Sequence, residues 1–572
     1  MQTMRPTLLP LTIAFLLAGV GAPVAGVTVA QDAAAPFPGT VSIPVGVTRA
    51  GTPIPAVVSR SAVDPGSPVF HVLLIGGLDG SRAGVERVRQ AVEWFTTAPA
   101  AERYRRTFAV SAVLSANPDG LATGTGPANT SGGRVDRGYP PKGDAYTSPT
   151  DPEAAYLWRW IGIEGPDVVV VVVGDGPAAW RVPESLQAVF PTAQPLPASD
   201  GLAAQLNRVA AADVGTVPAL EVAGDEGYLA KILAGFDTDA ARRVSPAHAE
   251  LRRRAARSPE AIAREVAATY GHEVSDMVYT QTVQLIGRLR LGSLAEVEAA
   301  VAPYVSGEKA ALPKNMTSSH FSGHMAISEL YRLTGKPQYL DMVKRVADLG
   351  FDDTGQPRES MPMLNEMSDG VFMGSPILAQ AGALSGESRY FDMAVRNFRY
   401  MYGLDARADG LYRHSPLDES AWGRGNAFPA LGLALTLTDL PTSHAGHADL
   451  VAAFRTHMTA LARYQDGTGM WHQVVDHPES YREFTATAMI AVAMARGVKR
   501  GWLDAATFGP VVDRAWLALK RRMGPNGTFV DICTGTGKMK SLREYLDRAA
   551  ILGQDPRGGA MALLAATEMM MR

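Results

Sequence analysis

The decapeptide LTGKPQYLDM at residues 333–342 returns as LSGESRYFDM at residues 384–393. Each copy sets a glycine, Gly335 or Gly386, as the stop of one helix. A Tyr-apolar-Asp-Met run, Tyr339–Met342 or Tyr390–Met393, then opens the next. The offset of 51 residues is that of an αα-hairpin unit. Outward from the repeat, helical periodicity runs through 259–290, 320–349, 372–402, 427–437, 448–464, 484–498, 503–522 and 557–571, and strand signals nearly vanish. Successive hairpins of this length either stack as an open solenoid or close into a ring whose inner helix ends surround a pocket. The aromatic and polar clusters in the connecting loops favour the ring.

Upstream the grammar changes. Residues 69–76 (VFHVLLIG), 108–115 (FAVSAVLS) and 166–173, with six consecutive valines, read as strands covered on both faces. Helical stretches at 83–97 and 151–163 lie between them, and the second opens Asp-Pro in the manner of an N-cap. A Gly-, Pro-, Asn- and Asp-rich loop occupies 117–150. The pattern predicts an α/β domain with a mainly parallel sheet over 40–236. A charged linker follows at 237–260, and the helical domain spans 261–572.

The 572 residues carry 46% hydrophobic and 19% charged side chains and a net charge of −3. That balance excludes wholesale disorder and lacks the basic face of a nucleic-acid binder. Cys533 is the single cysteine, so no intrachain disulfide or thiolate zinc cluster can form. Arg5, the apolar run Leu8–Val20 and the small residues Ala22, Ala25 and Ala30 predict a signal peptide over 1–30. The alternative is a membrane anchor, for which the run is short and broken by Pro10. The expectation is a periplasmic or secreted bacterial protein with no membrane span after cleavage. Its oligomeric state is left open.

Four stretches of the helical part concentrate chemistry: 368–376 around Asp369, 410–414 ending in His414, 421–428 with Trp422, Arg424 and Phe428, and 469–473 followed by Ser480–Glu483. Trp422 and Phe428 offer flat faces for a sugar ring. Arg424 offers a planar fork suited to a carboxylate. Asp369, among Met367, Val371, Phe372 and Met373, sits where desolvation favours a neutral carboxyl. Each has a plain structural alternative. Asp369 can cap the following helix, Trp422 and Phe428 can be core, and Arg424 can pair with Asp418 or Glu419. His320 and His324 have a metal-compatible spacing without the HExxH glutamate or a third ligand, so no metal and no cofactor is expected.

The strings SDGVFMGSPILAQ, LYRH, WGRGNAF, GMWHQVVD, SYREFTATAMIAVAM and QDPRGGAMALLA make residues 260–572 resemble the unsaturated uronyl hydrolases, glycoside hydrolase families 88 and 105. The resemblance implies an (α/α)6 barrel acting on oligosaccharides with a 4,5-unsaturated uronic acid at the non-reducing end. Asp369 would then be the general acid and base of a vinyl-ether hydration, and His414, Trp422, Arg424 and Phe428 would line the substrate site; His320, in a stretch that departs from the family, is either a substitute binding group or a satisfied core histidine. Phe428 stands where the family more often has Trp. The second aspartate that the family usually carries on an earlier helix is absent from Met316–His324. A non-catalytic carbohydrate-binding protein is therefore the alternative reading.

Residues 41–235 resemble a zinc carboxypeptidase stripped of its ligands. Gly76–Arg82 stands where that family has H-x-x-E, with Asp79 and Arg82 at the ligand positions, and Asn117–Gly120 matches its NPDG loop. Glu221 falls at the general-base position. His71 is the only histidine between 40 and 236, so a two-histidine zinc site cannot be built from that stretch and peptidase activity is not expected.

Overall fold

The computed structural model describes residues 33–34, 37–64, 67–141, 152–174 and 176–572. The expected signal peptide lies outside the described residues, as do Asp175 and the loop from 142 onward. Among the described residues, no helix is long and apolar enough to cross a membrane.

Strands Phe70–Ile75, Phe108–Val113, Val168–Val173 and Ala219–Ala223 form the parallel centre of a nine-stranded sheet. Val168–Val172 is fully enclosed, as a β-branched run covered on both faces must be. The sheet is nevertheless mixed, not mainly parallel. The hairpin Thr40–Val47/Pro53–Ser59 adds antiparallel strands at one edge, and Ala179–Val182 runs antiparallel to Ala219–Ala223 near the other. One face packs under the helices Arg82–Thr97 and Tyr228–Gly235. The other carries the helix Pro152–Glu164, whose apolar core continues unbroken into the helical part.

There the chain closes. The inner helices are Tyr279–Arg290, Ser318–Gly323 continued by Met325–Thr334, Gly370–Ser385, Gly423–Asp439, Phe484–Lys499 and Pro556–Met570; each packs on the next, and the last packs on the first. Between them in chain order come the outer helices Pro259–Ala267, Leu294–Val305, Pro337–Ala347, Ser388–Asp405, His447–Arg463 and Ala505–Arg522. The open solenoid is thus excluded. Inner helices are buried nearly all round, which is why their amphipathic period is weak in the sequence. The repeat behaves as its spacing predicts. Gly335 and Gly386 both end a helix in the left-handed conformation, at φ 66° and 79°. Tyr339 and Tyr390 both donate to a carboxylate of an earlier segment, Glu298 and Asp348.

The 237–260 segment is a packed element and not a free hinge. It contains the helix Pro246–Ala256, whose cap Ser245 takes its backbone N–H to Asp167. Arg254 reaches the carbonyls of Asp213 and Arg521 in the two halves.

Candidate active site

Asp369 precedes the Gly370 helix, and its side chain does not cap that helix. The residue before it explains its placement. Ser368 donates its N–H to the His414 carbonyl at 3.0 Å and its hydroxyl to the Gly425 carbonyl at 2.7 Å. One serine thereby stitches the first, second and third stretches together. Asn426 fixes the second stretch to the third, its amide oxygen accepting from Tyr412 N–H and its amide nitrogen donating to the Tyr412 and Trp422 carbonyls.

This scaffold brings Asp369 Oδ1 to 3.5 Å from His414 Nε2. The His414 ring lies 4.4 Å from that of Trp422, and the Arg424 guanidinium sits 4.8 Å over the same indole. Arg424 does not pair with Asp418 or Glu419. Its fork donates to the carbonyls of Cys533 and Thr534, at 2.5 and 2.7 Å, and among the described residues no carboxylate lies in ion-pair range of it. Four buried polar atoms of this cluster lack a hydrogen-bond partner: Asp369 Oδ1, His414 Nε2, Trp422 Nε1 and Arg424 Nε. Buried polar atoms are ordinarily paired, so these four adjacent ones leave hydrogen-bonding capacity for a further polar group. Asp369, 9% exposed, is the most accessible of the six expected site residues.

The fourth stretch braces the others. Gln473 donates to the Tyr545 carbonyl, and Glu483 accepts from Cys533 N–H, holding the strand Phe529–Cys533 whose end carries the Arg424 acceptors. His472 bonds the Ser480 carbonyl through Nδ1 while its Nε2 faces Asp466 at 3.3 Å, and Trp471 donates to the Leu461 carbonyl.

Phe428 and His320 are placed differently from what a sugar platform and a free binding group need. Phe428 is enclosed in an aromatic cluster with Phe372 and Tyr279, at 5.4 and 5.7 Å. His320 forms a capping box with Thr317, its Nδ1 accepting from Thr317 N–H, while Nε2 faces Asp276 at 3.1 Å. Asp276 lies 44 residues upstream and its side chain is 45% exposed. Tyr279, Tyr545, Ser368 and Asn426 belong to the site and were not singled out by sequence; Tyr279 is pushed up to about 12 by burial, with Arg424 and Asp369 as its charged neighbours.

In the α/β half, Asp79 accepts from Ser81 and Gly174 N–H, tying two central strand ends together. Glu221 pairs with Arg181 at 3.3 Å. A second histidine does join His71, from outside 40–236: His248 stacks on it at 4.7 Å and bonds Asp167. That pair lies at the opposite end of the strands from Asp79, and among the described residues no three ligands converge on a metal position.

Comparison with known proteins finds likenesses for the helical half of the chain. Residues 367–572 match Glycosyl Hydrolase Family 88. The chain is similar to the unsaturated rhamnogalacturonyl hydrolase YesR of Bacillus subtilis (strain 168), 26% identical over 237 residues, 38% of this chain and 66% of that protein. It is similar to the unsaturated 3S-rhamnoglycuronyl hydrolase of Alteromonas sp. (strain LOR), 25% identical over 216 residues, 36% of this chain and 50% of that protein. The chain thus spans about half to two thirds of the length of these relatives. A possible GH105 family member from Salmonella enterica overlays with a TM-score of 0.47 at 21% identity, covering 54% of this chain and 93% of that one.

Proposed function

We propose that the helical ring removes a 4,5-unsaturated uronic acid from the non-reducing end of oligosaccharides released by polysaccharide lyases, with Asp369 as the sole acid and base. The observation that carries the reading is the cluster of buried atoms without a hydrogen-bond partner, Asp369 Oδ1, His414 Nε2, Trp422 Nε1 and Arg424 Nε, in which the guanidinium, though it donates to two backbone carbonyls, has no ion-pair partner among the described residues. An unpaired buried cation calls for an anion, which a uronate supplies. Asp405, a carboxyl that feels the charge of Asp369, is fully enclosed, so the two-carboxylate geometry of ordinary glycosidases finds no support.

In this reading Asp369 donates its proton to C4 of the enol ether, leaving cationic character at C5. The oxygen of a water bonds to C5, and the proton it sheds returns to Asp369. The resulting hemiketal opens, and the aglycone alcohol leaves C1. One water is consumed and the acid is regenerated. Trp422 and Arg424 hold the uronate, and His414 orients Asp369. The α/β half is a degenerate carboxypeptidase-like domain without peptidase chemistry, and the protein acts outside the cytoplasm.

The test is optical. Turnover destroys the ultraviolet band of the conjugated enol ether, so a panel of unsaturated rhamnogalacturonan, ulvan, heparin-type and chondroitin-type fragments reports both activity and preference. Asp369→Asn is expected to abolish bleaching, at least 1,000-fold, while sugar binding by calorimetry persists. Binding without bleaching by the parent protein would leave a carbohydrate-binding module instead.

A further inference from the structure

Tyr545 reaches the site from a part of the chain that no motif marks. It lies on the short helix Leu542–Leu546, in the connection between strands Phe529–Cys533 and Ala550–Gly553. Its hydroxyl oxygen accepts from Met539 N–H at 3.3 Å and lies 3.0 Å from His414 Nδ1. A backbone N–H can only donate, and among the described residues His414 Nδ1 is the one acceptor bonded to the hydroxyl, so the arrangement that uses the buried phenol proton gives it to Nδ1. That assignment makes Nδ1 the acceptor and puts the imidazole hydrogen on Nε2, the nitrogen that faces Asp369 Oδ1 at 3.5 Å. The His414 ring is fully buried and packs against Trp422 with ring centroids 4.4 Å apart.

The helix bearing Tyr545 is gripped from the other half of the molecule. Arg49, in the turn between Thr40–Val47 and Pro53–Ser59, binds Asp547 at 2.7 Å, and its carbonyl accepts from Arg543 at 2.9 Å. Arg543 in turn pairs with Asp547. Residues on both sides of Tyr545 are thus clasped by one hairpin turn of the sheet.

Building on the function proposed above, we propose that Tyr545 is a positioning residue that locks His414 in its Nε2–H tautomer against Asp369, and that the α/β half serves the ring by holding the Tyr545 helix through Arg49. The α/β half thereby has a role that needs no chemistry of its own.

Nitrogen-15 NMR of histidine-labelled full-length protein tests the tautomer without any substrate, with the signal assigned by loss in His414→Gln. The parent protein is expected to show an Nε2–H ring. Tyr545→Phe removes one oxygen and is expected to give a mixture of tautomers, with kcat on the best unsaturated fragment down about 10-fold and KM within 2-fold. Arg49→Ala is expected to broaden the same signal and lower kcat by a smaller factor, and Arg49→Lys to restore part of both. An Nδ1–H ring in the parent overturns the proposal, whether or not Tyr545→Phe folds. So does a Tyr545→Phe protein with unchanged tautomer and kcat. Failure of every fragment to bleach sinks the enzymatic reading alone, because the NMR arm still decides the positioning.

Discussion

Asp405 ends the helix Ser388–Asp405 with a carboxyl that is wholly enclosed and has no hydrogen-bond partner on either oxygen. A carboxylate at a helix C-terminus also opposes the macrodipole. Burial pushes its pKa up to about 8. The native state therefore keeps the proton to about pH 8, whereas an unfolded aspartate loses it near pH 4. Stability is unaffected below about pH 4, falls as pH rises between the two values, and carries the full cost above the upper one. Asp405→Asn should unfold like the parent at pH 4 and be the more stable by about 2–4 kcal/mol at pH 9, measured by denaturant titration; equal stabilities at pH 9 would contradict the assignment. This residue shows where sequence reading stops. Asp369, His414, Trp422 and Arg424 were legible because unusual chemistry sits in glycine-flanked turns before helices. Asp405 and Tyr545 were not, because the first is defined only by its enclosure and the second by a contact across 131 residues. Asp276 escaped for the same reason, since its partner His320 lies on another element.

Helices that carry Asp369 and Arg424 touch backbone to backbone. A Cβ on Gly432 would lie 2.7 Å from Phe372 N and 2.8 Å from Phe372 Cα, in the first turn after Asp369. Rigid main chain cannot yield as a side chain does, so Gly432→Ala must push the two inner helices apart. It should cost about 1–3 kcal/mol and lower turnover at least 10-fold. Gly403, on an exposed outer face with nothing near its virtual Cβ, is the control. Gly403→Ala should leave turnover unchanged and be neutral or stabilising by about 0.5–1 kcal/mol. Thermal melts and the bleaching assay on the pair decide it; a fully active Gly432→Ala protein would show that the site tolerates loose packing. Element legibility follows similar physics. The valine run and the repeated glycine stops declare themselves because burial on both faces and a left-handed cap leave few alternatives. The hairpin Thr40–Val47/Pro53–Ser59 is hidden because Pro44, Pro53 and Pro55 argue against strand, and are accommodated only near a sheet edge and beside a register shift. Within 320–349 the break at Gly335 declares itself in the repeat, whereas the further break at His324 does not.

Between the halves the apolar core is continuous, and buried charge is placed across it. Glu164, the last residue of Pro152–Glu164, is buried beside Ser111 and Trp160 and is pushed up to about 7 by that burial. Arg521 comes from the outer helix Ala505–Arg522 and donates to the carbonyls of Val63 and Ile163 at 3.3 and 3.0 Å. Burial draws its own pKa down to about 10, so it stays charged across the neutral range while Glu164 titrates next to it. For Glu164 the folded value lies above the unfolded one, near 4.5, so the native state binds the extra proton between them. Stability is then highest below about pH 4.5, declines through pH 7, and levels off above it. The shift corresponds to about 3 kcal/mol as an upper bound. Glu164→Gln should abolish that decline, leaving the variant more stable than the parent at pH 8 and indistinguishable from it at pH 4.5. The form of the melt carries the architectural point. Because Arg49, Arg159 and Arg521 tie the halves together over a shared core, one calorimetric transition is expected, and Glu164→Gln should move the whole of it at pH 8. Two transitions, only one of them sensitive to residue 164, would mean that sheet and ring fold independently and that the sheet cannot be what holds the Tyr545 helix in place.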